Sequence, residues 1–178
     1  MAIVLVGFMG SGKTSVGQVL AEELALPWID LDEKFTEKFN MQISYFFEKF
    51  GEGVFREKEG QLLAKEIGKE VVLSTGGGVV ICESNRKILK KSLRCVYLST
   101  PFSVIVQRIK TDSCTIRPLA TRLSQKNNSV KNLENLYQER TIWYEEVADL
   151  IVETEGKTPM DIAKEILLKL KKDKEVIN

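Results

Sequence analysis

The residues Gly7-Phe8-Met9-Gly10-Ser11-Gly12-Lys13-Thr14 satisfy the pattern G-x-x-x-x-G-K-[ST] and follow directly on the short apolar run Ala2 to Val6. Glycine at these places lets the backbone curl with positive φ, so that successive N–H groups point inward and a lysine reaches the outer phosphates of a bound polyphosphate. Thr14 offers a hydroxyl suited to Mg2+. Downstream, Val16, Val19, Leu20 and Leu24 recur at helical spacing within Ser15 to Leu24. The anion therefore sits at a helix N-terminus, where the dipole and the unpaired N–H groups favour it. An ordinary Gly-rich turn can match such a pattern by chance, but here strand, loop and helix stand in the order that a triphosphate site requires.

At 178 residues the chain suits a single domain, 1–178, with room for one or two mobile sub-regions. Lys plus Arg number 26 against 25 Asp plus Glu, a net charge of +1. A protein that neutralises many phosphates of a nucleic acid carries a larger excess, so the expected partner is a small molecule and not nucleic acid. Cys82, Cys95 and Cys114 are odd in number and widely spaced, and there is no histidine to complete a zinc site. Reduced thiols are the simplest reading. Without histidine, any catalytic proton acceptor must be a carboxylate, Lys, Tyr or Cys. No basic segment leads into a long apolar stretch, and no run approaches the ~18 residues of a membrane span. The expectation is a cytoplasmic monomer with no membrane partner.

Short apolar runs at Ile3 to Val6, Trp28 to Asp30, Val71 to Ser74, Cys95 to Leu98 and Leu150 to Val152 alternate with segments of helical period. This is the pattern of an α/β fold with a five-stranded parallel sheet covered by helices. The second run ends in Asp30-Leu31-Asp32. In an open parallel sheet, ligands collect at the carboxyl ends of the strands, so these acids are candidates for metal and proton work. Alternation along an extended segment points both to one side, although one of them could instead cap the helix expected over Asp32 to Phe39.

From Asp32 to Ile67 the helical pattern is too long for a simple crossover and holds Phe35, Phe39, Phe46, Phe47, Phe50 and Phe55. We read an inserted helical sub-region with its own aromatic core. Within it the fork of Arg56 suits a carboxylate ligand, with Glu59 one turn away to orient it; on pattern alone an exposed Arg–Glu surface pair fits equally well. The third strand runs into Thr75-Gly76-Gly77-Gly78, where a substrate can lie directly on the backbone. Ile109 to Lys126 loses hydrophobic period and carries Lys110, Arg117 and Arg122 just after Arg108, the composition of a lid closing over phosphates, although a long polar surface loop with incidental charge fits the same pattern. On the next helix Leu133, Leu136, Tyr137, Arg140, Thr141 and Tyr144 share overlapping faces, which turns Arg140 toward the cleft.

Placed together, these pieces resemble the shikimate kinase family over nearly the whole chain. The resemblance is carried by the loop at 7–14, Asp-Leu-Asp at 30–32, Gly-Glu-x-x-Phe-Arg-x-x-Glu at 51–59, Gly-Gly-Gly at 76–78, Arg-Pro-Leu at 117–119 and Arg140-x-x-x-Tyr144. Gluconate and nucleoside monophosphate kinases share the first loop and a lid but not the whole set, and a guanine-nucleotide switch would carry an Asn-Lys-x-Asp signature that is absent here. The resemblance implies a P-loop three-layer α/β/α fold with sheet order 2-3-1-4-5, a helical substrate-binding insertion at about 32–67 and a mobile lid at about 109–125. It implies transfer of the ATP γ-phosphate to the 3-hydroxyl of shikimate in aromatic amino-acid synthesis, with Mg2+ as cofactor. It further implies that Gly10, Ser11, Gly12, Lys13, Thr14 and Ser15 hold the ATP phosphates, that Thr14 and Asp30 hold Mg2+, and that Asp32 accepts the hydroxyl proton. Arg56 and Arg140 grip the carboxylate, the Gly77 N–H meets a hydroxyl, Lys13 and Arg117 neutralise the transferred group, and Arg108 stacks on adenine. After Arg117-Pro118-Leu119 this chain has Ala120 where the family usually has leucine.

Overall fold

The computed structural model describes residues 2–92, 94–111 and 129–176. Arg117, Arg122, Cys114 and most of the segment read as a lid lie outside the described residues. Strands β1 (Ile3–Val6), β2 (Trp28–Asp30), β3 (Val72–Ser74), β4 (Cys95–Ser99) and β5 (Leu150–Glu153) form one parallel sheet of order β2-β3-β1-β4-β5. The five apolar runs thus become the five strands, within one residue at each end. Burial explains their near-continuous hydrophobicity: along β1, Val4 and Val6 enter one core while Ile3 and Leu5 enter the other.

Helix α1 (Lys13–Leu24) packs Val16, Leu20 and Ala21 against one sheet face together with Ile162, Ala163 and Ile166 of α7 (Pro159–Val176). The other face is covered by α2 (Leu31–Phe39), α3 (Ile43–Glu66), α4 (Glu83–Lys90), α5 (Phe102–Thr111) and α6 (Ser129–Val147). The inserted region is α2 plus α3, and α3 bends at Gly51, whose φ of 80° and ψ of 166° are not helical. Its aromatic core is real: Phe35 lies 4.5 Å from Phe39, 4.9 Å from Phe46 and 4.7 Å from Phe55 between ring centroids.

One expectation is corrected. β2 ends at Asp30, and Asp32 already lies in the first turn of α2, so the two acids are not related by strand alternation. The capping role falls to Asp30, whose Oδ1 accepts from the backbone N–H of Asp32 at 2.9 Å and of Glu33 at 3.4 Å. An Asp immediately before helical residues satisfies otherwise orphaned N–H groups, and that local gain starts the helix at Leu31, one residue earlier than expected.

Candidate active site

The carboxyl ends of β1, β2 and β3 open on one edge of the sheet, and the loops leaving them bring the predicted groups together. The first loop turns into α1 through Gly10 and Gly12, with φ of 77° and 94°, values that a side chain disfavours. Lys13, buried, donates through Nζ to the carbonyls of Gly7 at 2.8 Å and Phe8 at 2.9 Å, and reaches Ser11 Oγ at 3.4 Å. The ammonium is thus held against the loop itself. Ser74 ties this helix start to the sheet, donating to the Lys13 carbonyl at 2.9 Å. Thr14 Oγ1 lies 3.4 Å from Asp30 Oδ2, so the helix cap and the loop hydroxyl share one corner. Arg108 reaches across from α5 and donates to the Gly10 carbonyl at 2.9 Å.

Three parts of the site converge on the glycine triplet. A Cβ on Gly76 would lie 2.6 Å from Asp32 Oδ1, and one on Gly77 would lie 3.2 Å from the Met9 backbone nitrogen. A Cβ on Gly78 would strike the Arg56 guanidinium. Each glycine therefore makes room for a different part of the site: a carboxylate, the phosphate loop and a guanidinium. The Gly77 carbonyl accepts from Arg140 Nη1 at 3.2 Å and from the Tyr144 hydroxyl at 2.5 Å.

Arg56 is not the surface pair that pattern alone allowed. Its side chain is 12% exposed, and Nη1 donates to Glu59 Oε2 at 2.8 Å, while Nη2 meets Glu52 Oε1 at 3.2 Å. Its guanidinium lies over the rings of Phe55 and Phe47, 5.0 and 5.8 Å from their centroids. Glu59 is buried and also accepts from Asn85 Nδ2 at 3.3 Å. Burial pushes its carboxyl up to about 7 against the opposing pull of Arg56, and the nearby Asp32 charge adds to the rise.

Arg140 is 4% exposed, lies over the Phe8 ring at 5.8 Å, and forms no ion pair among the described residues. Its Nε has no hydrogen-bond partner among them. Burial lowers its affinity for the proton, yet guanidinium stays charged. Burying a cation without a charged partner is costly.

Three contributors escaped sequence reasoning. Glu52 stands four residues before Arg56, a helical spacing that could have revealed it. Tyr144 belongs to Arg140-x-x-x-Tyr144, a spacing that assigns it no role by itself. Asn85 gave no signal, because its contact with Glu59 joins α4 to α3.

A phosphate loop at a helix N-terminus, a carboxylate and two arginines beside it, and a parallel sheet of this order define a P-loop small-molecule kinase. The family model described as shikimate kinase matches residues 9–171. The shikimate kinase of Enterococcus faecalis is 43% identical over 96% of this chain and 98% of its own length. That of Streptococcus thermophilus is 40% identical over 92% and 97%. Among solved structures, shikimate kinase from Acinetobacter baumannii in complex with shikimate matches with a TM-score of 0.86 at 37% identity, covering 97% of this chain and 94% of that one. The chain belongs to the shikimate kinase family.

Proposed function

We propose that this chain transfers the γ-phosphoryl group of ATP to the 3-hydroxyl of shikimate. The observation that carries the reading is Arg140, a buried guanidinium without an ion pair among the described residues, directed at the same glycine triplet that Arg56 and Asp32 touch. In this reading the shikimate carboxylate lies between Arg56 and Arg140, and its ring rests on Gly76 to Gly78. Asp32 takes the hydroxyl proton as the oxygen forms its bond to γ-phosphorus and ADP leaves. Phosphoryl transfer asks little covalent chemistry of the protein, so positioning and charge stabilisation supply most of the rate. Lys13 leaves the loop carbonyls for the outer phosphates, and Gly10, Ser11, Gly12, Thr14 and Ser15 surround them.

Thr14 and Asp30 offer hard oxygens at one corner and fit Mg2+, which keeps several waters and phosphate oxygens and needs few protein ligands. When bound, the ion neutralises charge shared between the β- and γ-phosphates. Residues of α2 and α3 form the acceptor-binding insertion. Net charge near zero supports small-molecule work without nucleic acid. Cys82 and Cys95 are free thiols, in keeping with the cytoplasm. Among the described residues no helix is long and apolar enough to cross a membrane.

A coupled assay of ADP release tests the reading directly: release should depend on shikimate. ADP formed equally well without it, or faster with gluconate, overturns the assignment.

The clamp is tested by Arg56→Lys and Arg140→Lys, which keep charge but lose the planar fork. Each should weaken shikimate binding by roughly 1 to 3 kcal/mol and hardly touch ATP. The double variant should lose less than the sum, because a carboxylate released by one arm is already poorly held by the other. An analogue with a neutral hydroxymethyl group should bind the parent weakly and be indifferent to both changes; its phosphorylation as readily as shikimate would refute the clamp.

Glu59 sets a pH dependence. Its folded carboxyl titrates at about 7, above the ordinary 4.5, so the folded state holds this proton more tightly than the unfolded chain. Its contribution to stability is therefore present below the unfolded value and is lost as pH rises through about 7. Function runs the opposite way, since only ionised Glu59 pairs with and orients Arg56. Apparent shikimate affinity should rise about tenfold from roughly pH 6 to pH 8, as the competent fraction grows. Glu59→Gln should flatten that profile; an unchanged slope in the variant would assign it to another group.

A further inference from the structure

Tyr144 carries a hydroxyl that phosphoryl transfer does not use. Its ring is fully buried and stacks on Tyr97 of β4, with centroids 5.2 Å apart and planes at 25°. That stack fixes the ring, and the hydroxyl donates to the Gly77 carbonyl at 2.5 Å. Arg140, one turn earlier on α6, donates to the same oxygen at 3.2 Å. A carbonyl oxygen has two lone pairs and can take both donors. Burial raises the phenol's affinity for its proton, so it is a donor across the working pH range.

We propose that Tyr144 is a positioning residue of the acceptor site: its hydroxyl holds the Gly77 carbonyl so that Arg140 can exchange that carbonyl for the substrate carboxylate. The inference rests on the reading of Arg140 as a carboxylate ligand. A buried carbonyl stripped of donors bears the full cost of its lost hydration. With Tyr144 in place, Arg140 can depart and the oxygen stays paired. Without the hydroxyl, Arg140 becomes the sole donor on the Gly77 carbonyl among the described residues, and the substrate must compete with the backbone for the guanidinium. The peptide joining Gly77 to Gly78 also loses its anchor, and Gly78 is the residue against which Arg56 rests. One hydroxyl thereby acts on both arms of the clamp.

Tyr144→Phe keeps the ring and its stack and removes only this donor. By calorimetry the shikimate Kd should rise about tenfold, while the ATP Kd moves less than about twofold. In an Arg140→Met background the same change should alter shikimate Kd by less than about twofold, because no guanidinium remains to be captured. Tyr97→Phe preserves the stacked pair and should leave shikimate affinity as it is. In the parent, with carbonyl-labelled glycine, the Gly77 carbon resonance should keep its hydrogen-bonded shift when shikimate saturates the site; this reading does not depend on any variant folding. An unbonded shift on saturation, a neutral Tyr144→Phe, an equal effect in both backgrounds, or an equal loss of ATP affinity each overturn the inference alone, provided that the parent binds shikimate and Arg140→Met weakens it. A parent that does not bind shikimate overturns the assigned function and this inference together.

Discussion

Lys13→Met should lower phosphoryl transfer by about 10³-fold, the upper range for removing one preorganised donor from a developing negative charge. Two losses combine. The outer phosphates lose a cation whose interaction grows as charge builds, and the carbonyls of Gly7 and Phe8 lose their lysine donor. The hydrophobic cores on both sheet faces do not involve this side chain, so the fold should persist and circular dichroism should match the parent. Steady-state turnover within about tenfold of the parent, less than ~1.4 kcal/mol, would mean that the loop does not work as a phosphate site.

Asp32→Asn should lower kcat by roughly 10² or more, the scale of a lost general base, with a much smaller change in ATP affinity. Asn keeps the shape that fits against Gly76, so the defect should lie in the proton and not in packing. Asp30→Asn should instead raise the Mg2+ concentration needed for half-maximal rate, since Asp30 shares its corner with Thr14. Equal metal dependence in the two variants would show that the roles are wrongly divided. The Asp32 charge also contributes to the raised pKa of Glu59. Asp32→Asn should therefore move the inflection of the shikimate pH profile to lower pH, a readout independent of the chemical step.

Legibility in the sequence followed the range of the forces. The phosphate loop could be read from eight consecutive residues, because a backbone turn and a helix start are dictated by neighbours along the chain. The five strands were readable for a related reason: burial on both faces demands unbroken apolar runs. The pair Arg56 and Glu59 was visible through helical spacing, but not its burial, which depends on the aromatic core of the insertion and on Asn85 from α4. Asp30 and Asp32 were misread in their geometry, since the chain leaves the extended state as soon as Asp30 can cap a helix. Only the order β2-β3-β1, which sets β3 between the strand of Asp30 and the strand of the phosphate loop, brings the glycine triplet against Asp32, Met9 and Arg56 together. Residue type and local spacing were enough for a nucleotide-binding α/β kinase and for most of its polar groups. The tertiary structure decided which group faces which, why Glu59 titrates near neutrality, and why Tyr144 and Arg140 meet on one carbonyl, because desolvation and contact between distant segments exist only once the sheet has closed its two cores.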